Sequence, residues 1–312
     1  METAANPLAP FLAAQECVIL DGGLATALEA NGHNLADSLW SARLLRDDPG
    51  AIRQVHLDYL RAGADIITTA SYQASLPGFL AQGLTEDQAA DLLRLSTRLA
   101  VEAREILLKE HPDRLRPLVA ASVGPYGAYL ADGSEYRGGY GVSPSDLRAF
   151  HSPRWDILTA GGVDLLACET LPALDEALVL TDLLAATPQA RAWLSFSCRD
   201  GAHLCDGTPL KQALDTLPVL PNLLAVGINC TAPEHVGSLL NIMGDSGKFP
   251  ALVYPNLGAG YDPDAKQWTT GPSTEAWLKS APAWVAAGAV GVGGCCQVGP
   301  GTIAHLRQTL LN

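Results

Sequence analysis

Three stretches carry the decisive pattern: RAGADII at 61–67, TAGGVDLL at 159–166 and AAGAVGV at 286–292. In each, a glycine stands just past the last turn of a helical stretch, where a left-handed residue closes a helix at little steric cost, and an apolar strand follows at once. Around these junctions, eight segments have strand composition: 18–22, 65–71, 118–124, 164–170, 192–199, 223–230, 251–257 and 289–296. Most of the intervals show helical periodicity. Over 50–62, Ile52, Val55, Tyr59 and Leu60 share one face behind an Asp47 or Asp48 cap and Pro49 in the first turn. Over 85–109, Thr85 and Gln88 have capping-box spacing ahead of a long amphipathic run. Strand and helix alternate eight times without a linker rich in Ser, Pro or charge. This α/β pattern predicts a (β/α)8 barrel, one domain over 1–312. An open doubly wound sheet is the alternative, but such sheets usually have fewer strands, and no GxGxxG opens the first helix.

Composition narrows the partners. Of the 312 residues, 48% are hydrophobic and 17% charged, enough to bury a large core. The formal net charge of −13 repels phosphate backbones and anionic headgroups, so neither nucleic acid nor a membrane surface is an expected partner. METAANPLAPFLAAQE lacks a basic leader and breaks its apolar stretch with prolines, and no run approaches the ~18 apolar residues of a membrane span. A cytoplasmic location is the expectation. Seven cysteines in a chain of this length are then thiols, available for metal binding, catalysis or packing. Neither heptads nor an exposed apolar signature speaks to oligomeric state.

A barrel places its chemistry at the C-terminal ends of the strands. Those ends hold Asp21-Gly22-Gly23, Thr69 to Ser71, Gly124-Pro125-Tyr126, Glu169-Thr170, Ser197-Cys198, Asn229-Cys230, Tyr254 to Asn256 and Cys295-Cys296. Neighbouring strand residues point to opposite faces, so Cys295 and Cys296 converge on one ion only if the backbone leaves the extended form, which Gly293-Gly294 permits. With Cys230 they would give zinc three sulfurs and an open position. Free cysteines also serve as small core hydrophobes, and the spacing contains no CxxC to decide between the two. Cys17, Cys168, Cys198 and Cys205 read as core or loop residues, Cys168 facing away from the cavity. Asp21-Gly22-Gly23 is either a plain tight turn or a cradle in which amides meet a carboxylate and Asp21 an ammonium. Glu169 either caps the next helix or supplies a second anion. The loop GPYGAYLADGSEYRGGYG at 124–141 is either surface or a lid. As a lid, Tyr126, Tyr129, Tyr136 and Tyr140 with Asp132 and Glu135 would surround a sulfonium cation. The seven histidines show no metal spacing.

In order and over nearly the whole chain, DGGLATALEANGHNLADSLWS, HLDYLRAGADIITTASYQAS, SVGPYGAYLADGSEYRGGY, DLLACETLP, GINC, VYPNLG and GGCC resemble the homocysteine S-methyltransferase family. The likeness is to the branch that uses S-methylmethionine or S-adenosylmethionine. It implies Zn2+ on Cys230, Cys295 and Cys296, and L-homocysteine held by Asp21 and Glu169, with Gly22 and Gly23 at its carboxylate and Thr69 nearby. A sulfonium methyl donor follows, placed on Tyr126, Tyr129, Glu135 and Tyr136 by the loop reading, with no protein nucleophile. Betaine, folate and corrinoid chemistry are disfavoured for a single barrel of this length. Selenocysteine as acceptor, a zinc hydrolase and a thiol redox sensor are the competing readings. Three sulfur ligands make bound water a poorer acid than the His and carboxylate sets of hydrolases do.

Overall fold

Eight parallel strands form one sheet. They are β1 (Val18–Ile19), β2 (Ile66–Thr68), β3 (Leu118–Val123), β4 (Leu165–Leu171), β5 (Ala192–Phe196), β6 (Leu223–Asn229), β7 (Ala251–Tyr254) and β8 (Ala289–Val292). The structure, a computed structural model, describes residues 6–35, 40–258, 261, 262, 267, 268 and 273–311. Residues 36–39 of the DGGLATALEANGHNLADSLWS motif lie outside them. Each strand from β2 to β7 pairs with its successor, and β8 pairs with both β7 and β1 (Val18↔Gly291, Ile19↔Val292). A parallel bridge between Leu20 and Ile66 closes the ring, with the Asp21 N–H donating to Ile66 O at 3.0 Å and the Asp65 N–H to Ile19 O at 2.7 Å. The sheet is thus a barrel rather than the open alternative. An antiparallel pair, Tyr261–Asp262 with Gln267–Trp268, follows β7.

Strand alternation sorts the core into two layers, as a period of two requires. Leu118, Ala120, Leu165, Ala167 and Trp193 pack inside the barrel. Their neighbours Val119, Ala121, Leu166, Cys168 and Leu194 pack outward against the helices. Cys168 therefore faces away from the cavity, as expected. Leu8 and Phe11, flanking and within a short helix Ala9–Ala14 that the periodicity did not single out, join the inner cluster.

The junction glycines hold: Gly63, Gly162 and Gly288 have φ of 106°, 76° and 99°. So do the two helix starts. The helix Pro49–Arg61 is capped by Asp48, whose side chain accepts from the Ala51 N–H, and Glu86–Glu110 carries the Thr85/Gln88 capping box. The strands end earlier than their apolar composition suggests. β1, β7 and β8 stop at Ile19, Tyr254 and Val292, and the residues beyond form cross-linked turns, with the Cys295 N–H donating to Pro255 O (2.9 Å) and the Gly294 N–H to Asp21 O (2.9 Å). These turns are the floor of the site. No helix among the described residues is long and apolar enough to cross a membrane.

Candidate active site

Cys230 follows the last residue of β6, and Cys295-Cys296 follow β8 by two glycines. Their sulfurs converge: Cys230 to Cys295 is 2.9 Å, Cys230 to Cys296 is 3.5 Å and Cys295 to Cys296 is 4.0 Å. The backbone departs from extended geometry as the convergence requires, but Gly293 and Gly294 are not the residues with positive φ. That conformation falls to Cys230 (48°), itself one of the three, and to Gln297 (68°), the residue after Cys296. The glycines are needed for closeness instead. A Cβ on Gly294 would lie 2.2 Å from Val298 Cγ1, and one on Gly293 2.6 Å from Leu20 Cβ. Three of the four described non-glycine residues with positive φ, Thr170, Cys230 and Gln297, stand at this mouth. Left-handed backbone costs about 1–2 kcal/mol at a residue bearing Cβ, and such strain persists where surrounding structure fixes it.

The three thiols share their protons. Donation from Cys295 and Cys296 holds the Cys230 thiol well below its ordinary range, and giving those protons pushes the other two up. Tyr136 Oη lies 3.6 Å from Cys230 Sγ. Soft sulfur donors of this number suit zinc. Thiolates at about 2.3 Å from a tetrahedral Zn2+ stand about 3.8 Å apart. The 3.5 and 4.0 Å separations bracket that spacing, and the 2.9 Å pair would open to reach it. Among the described residues these three cysteines form the group able to hold a metal. Cys17, Cys168 and Cys198 are buried and Cys205 half-buried.

A cavity of about 90 Å³ is lined by Asp21, Thr68, Glu169, Tyr136 and Tyr254 together with the three cysteines. Asp21 and Glu169 are 6% and 8% exposed. Burial raises the Asp21 carboxyl well above its usual range, against donation from Thr68, and the nearby Glu169 adds to the rise. Burial likewise pushes Glu169 up to about 7, opposed by the Ser122 and Tyr254 hydroxyls. Among the described residues, no cationic side chain acts on either group. Two desolvated carboxyls without a counter-charge form a site that a cation completes.

Two of the anticipated contacts, Gly23 and Thr69, already have partners within the protein. The Gly23 N–H donates to Val298 O at 2.9 Å, and Tyr59 Oη donates to Gly23 O and Val298 O, both at 2.9 Å. A Cβ on Gly22 would lie 2.2 Å from Val298 O, so this turn is packed face to face with the cysteine turn. The Thr69 hydroxyl meets Ser71 Oγ (2.6 Å) and accepts from the Ser122 N–H (3.1 Å). Thr68, its neighbour in the same motif, instead orients Asp21 through its N–H (2.7 Å) and hydroxyl (3.2 Å).

The Gly-Tyr loop divides in two. Tyr136 reaches the sulfurs, and Glu135 beside it is 9% exposed, with Oε2 lacking a hydrogen-bond partner among the described residues. Burial pushes its carboxyl up to about 7. Tyr126 and Tyr129 pack instead on each other (5.6 Å between centroids) and on Phe150 (5.0 and 5.5 Å) of the helix Pro144–Thr159, while Asp132 is exposed. Beneath them lies a fully buried carboxylate that the sequence did not reveal. Glu176 accepts from the Tyr126 N–H (2.6 Å), Tyr140 Oη (3.2 Å) and His151 Nε2 (2.8 Å). Arg154 can only donate, and it reaches His151 Nδ1 at 2.8 Å, so the proton of the neutral ring sits on Nε2 and points at Glu176. Burial, with Arg154 adding to it, holds this imidazole down to about 4. Arg154 also donates to Gly124 O, so the loop is pinned at both its start and its Tyr140 end.

Comparison with known proteins supplies the family. The family model described as homocysteine S-methyltransferase matches residues 18–310. The homocysteine S-methyltransferase of Escherichia coli (strain K12) is 51% identical, over 97% of this chain and 98% of that one. The selenocysteine Se-methyltransferase of Brassica oleracea var. italica is 42% identical, over 94% and 89%. The crystal structure of the Escherichia coli homocysteine methyltransferase MmuM in its metallated form superposes with a TM-score of 0.88 at 48% identity, covering 97% of this chain and 99% of that one. The chain belongs to the homocysteine S-methyltransferase family.

Proposed function

We propose that this barrel, a single unit over 1–312, transfers a methyl group from S-methylmethionine or S-adenosylmethionine to the thiol of L-homocysteine, with zinc on Cys230, Cys295 and Cys296. The observation that carries the reading is the shared cavity, with three converging sulfurs on one side and, on the other, two buried carboxyls that no described cation meets. Bound zinc would keep the acceptor sulfur as a thiolate at neutral pH, where a free thiol of pKa about 8.5 is mostly protonated.

The protein's own groups do the rest. Asp21 and Glu169 receive the acceptor ammonium, which restores both to the charged state. With the Gly23 N–H committed to Val298, the acceptor carboxylate falls to Gly22 and to the first amides of the uncapped helix Leu24–Ala30. Glu135 and Tyr136 face the sulfonium, an anion and an aromatic ring each attracting positive charge. Tyr126 and Tyr129 hold the loop in place from behind. The acceptor sulfur's electron pair forms the new bond to the methyl carbon. The donor's C–S bond breaks toward its own sulfur and leaves a neutral thioether, which this anionic pocket holds less tightly than the cation. The thiols suit a reducing cytoplasm.

The test is direct. Zinc-loaded protein with homocysteine and either sulfonium should yield methionine, and no turnover with both donors sinks the proposal. Full activity in metal-free protein removes zinc from it. Selenocysteine is the second acceptor to try, on the strength of the Brassica relative.

A further inference from the structure

Asn229 ends β6, is fully buried, and uses its whole amide on the other side of the mouth. Its Oδ1 accepts from the Thr170 N–H at 2.8 Å and its Nδ2 donates to Thr170 Oγ1 at 2.7 Å. A further Nδ2 contact lies 3.9 Å from Cys295 Sγ. Thr170 belongs to β4, and β5 stands between β4 and β6, so the bonds span a strand. What they join matters. Thr170 directly follows Glu169, and Asn229 directly precedes Cys230. Both Thr170 (φ 61°) and Cys230 (φ 48°) are left-handed, conformations that survive where neighbouring bonds over-determine them.

We infer that Asn229 is a positioning residue that fixes the span between the sulfur site and the amino-end site, and with it the length of acceptor the cavity takes. The inference rests on the proposed acceptor pocket, with the amino end on Asp21 and Glu169 and the sulfur on the cysteine cluster. Homocysteine and cysteine differ by one methylene between those ends. A two-point clamp on a buried, hydrogen-bonded frame holds that span, whereas without it the two strand ends relax independently. A displacement of about 1 Å suffices to cost about a hundredfold in a positioned reaction.

The experiment measures calorimetric affinity of zinc-loaded protein for homocysteine and for cysteine, in wild type, Thr170→Ala, Thr170→Ser and Asn229→Ala. Thr170→Ala removes one clamp bond with little change of volume, and Thr170→Ser restores it. The wild type should prefer homocysteine. Thr170→Ala and Asn229→Ala should lower the homocysteine-to-cysteine affinity ratio by about 10-fold or more, in the range of outer-shell effects at metal sites. Thr170→Ser should keep the ratio. The cobalt-substituted variants should retain the sulfur-to-metal absorption of the wild type, which separates a change of span from loss of the metal. An unchanged ratio in metal-loaded Thr170→Ala overturns the inference even if Asn229→Ala fails to fold, as does a fall in both affinities by one factor. Wild type that prefers homocysteine in binding but never methylates it defeats the proposed function alone, and the ratio in the variants still judges the clamp.

Discussion

The Tyr136 hydroxyl lies 3.6 Å from the sulfur of Cys230 and ties the Gly-Tyr loop to the cysteine cluster. An O–H directed at a thiolate draws charge from it and fixes where the loop rests. Tyr136→Phe removes that bond and keeps the ring. A hydrogen bond to a charged group is worth about 1.5–3 kcal/mol, so kcat/KM should fall by about one to two orders of magnitude while the zinc content stays near one per chain. Steady-state kinetics alongside metal analysis checks both halves.

Cys296→Ser should abolish metal retention and activity and leave the fold intact. The residue sits on a turn beyond β8 and is half-buried, so its loss removes a ligand without opening the core. Metal analysis after dialysis should show a protein that no longer holds zinc, with an unchanged far-ultraviolet circular dichroism spectrum. Wild-type zinc retention would remove Cys296 from the ligand set.

Gly294→Ala should destabilise by about 1–3 kcal/mol, the usual cost of forcing a methyl group into packed space. The new Cβ would meet Val298 Cγ1 at 2.2 Å, and relief of that clash moves Cys295, the next residue. Urea denaturation measures the stability, and a chelator competition should show weaker zinc binding in the same variant.

His56 predicts a pH dependence remote from the site. Its ring is fully buried on the helix Pro49–Arg61, neither nitrogen has a hydrogen-bond partner among the described residues, and burial holds its pKa down to about 4 against an ordinary 6.5. The unfolded chain therefore binds this proton more readily than the folded one. The associated stability is fully present above pH 6.5 and is lost as pH falls toward 4, on the order of 3 kcal/mol. His151, held down to about 4 as well, acts in the same direction. In His56→Leu the fall in unfolding free energy between pH 7 and pH 4 should be smaller than in wild type. An identical pH profile would show that the ring does not resist protonation.

Glu176→Ala should cost about 3–5 kcal/mol, as breaking a buried charge network does. It strands Arg154 and leaves His151, Tyr140 and the Tyr126 amide without their acceptor. Limited proteolysis should then cut within 124–141 much faster than in wild type.

Much of this was legible in the residues because it depends on local rules. A glycine after a helix, a capping pair and a run of apolar residues each act within a few positions, so the barrel and its junctions could be read directly. The three cysteines and the two acids could also be located, since a barrel puts every strand end on one rim. Beyond the last ladder bond, however, strand alternation no longer dictates where a side chain points. The Gly23 amide therefore turns to Val298, whereas Thr68, still in register with Ala120 and in phase with the inward Ile66, is the threonine that meets Asp21. Tyr126 and Tyr129 likewise follow no local rule. Their packing is set by Phe150 and Glu176, which come from distant helices and carry no motif of their own.

The closing of β8 on β1 also fixes a timetable. Cys230 emerges from the ribosome well before Cys295 and Cys296, but the two later sulfurs lie beyond the strand that completes the ring. No nascent chain can present all three sulfurs until the strand that closes the ring has been made. A metal held by all three sulfurs would therefore be acquired only after the barrel can close, so the ring has to be complete before such a site exists.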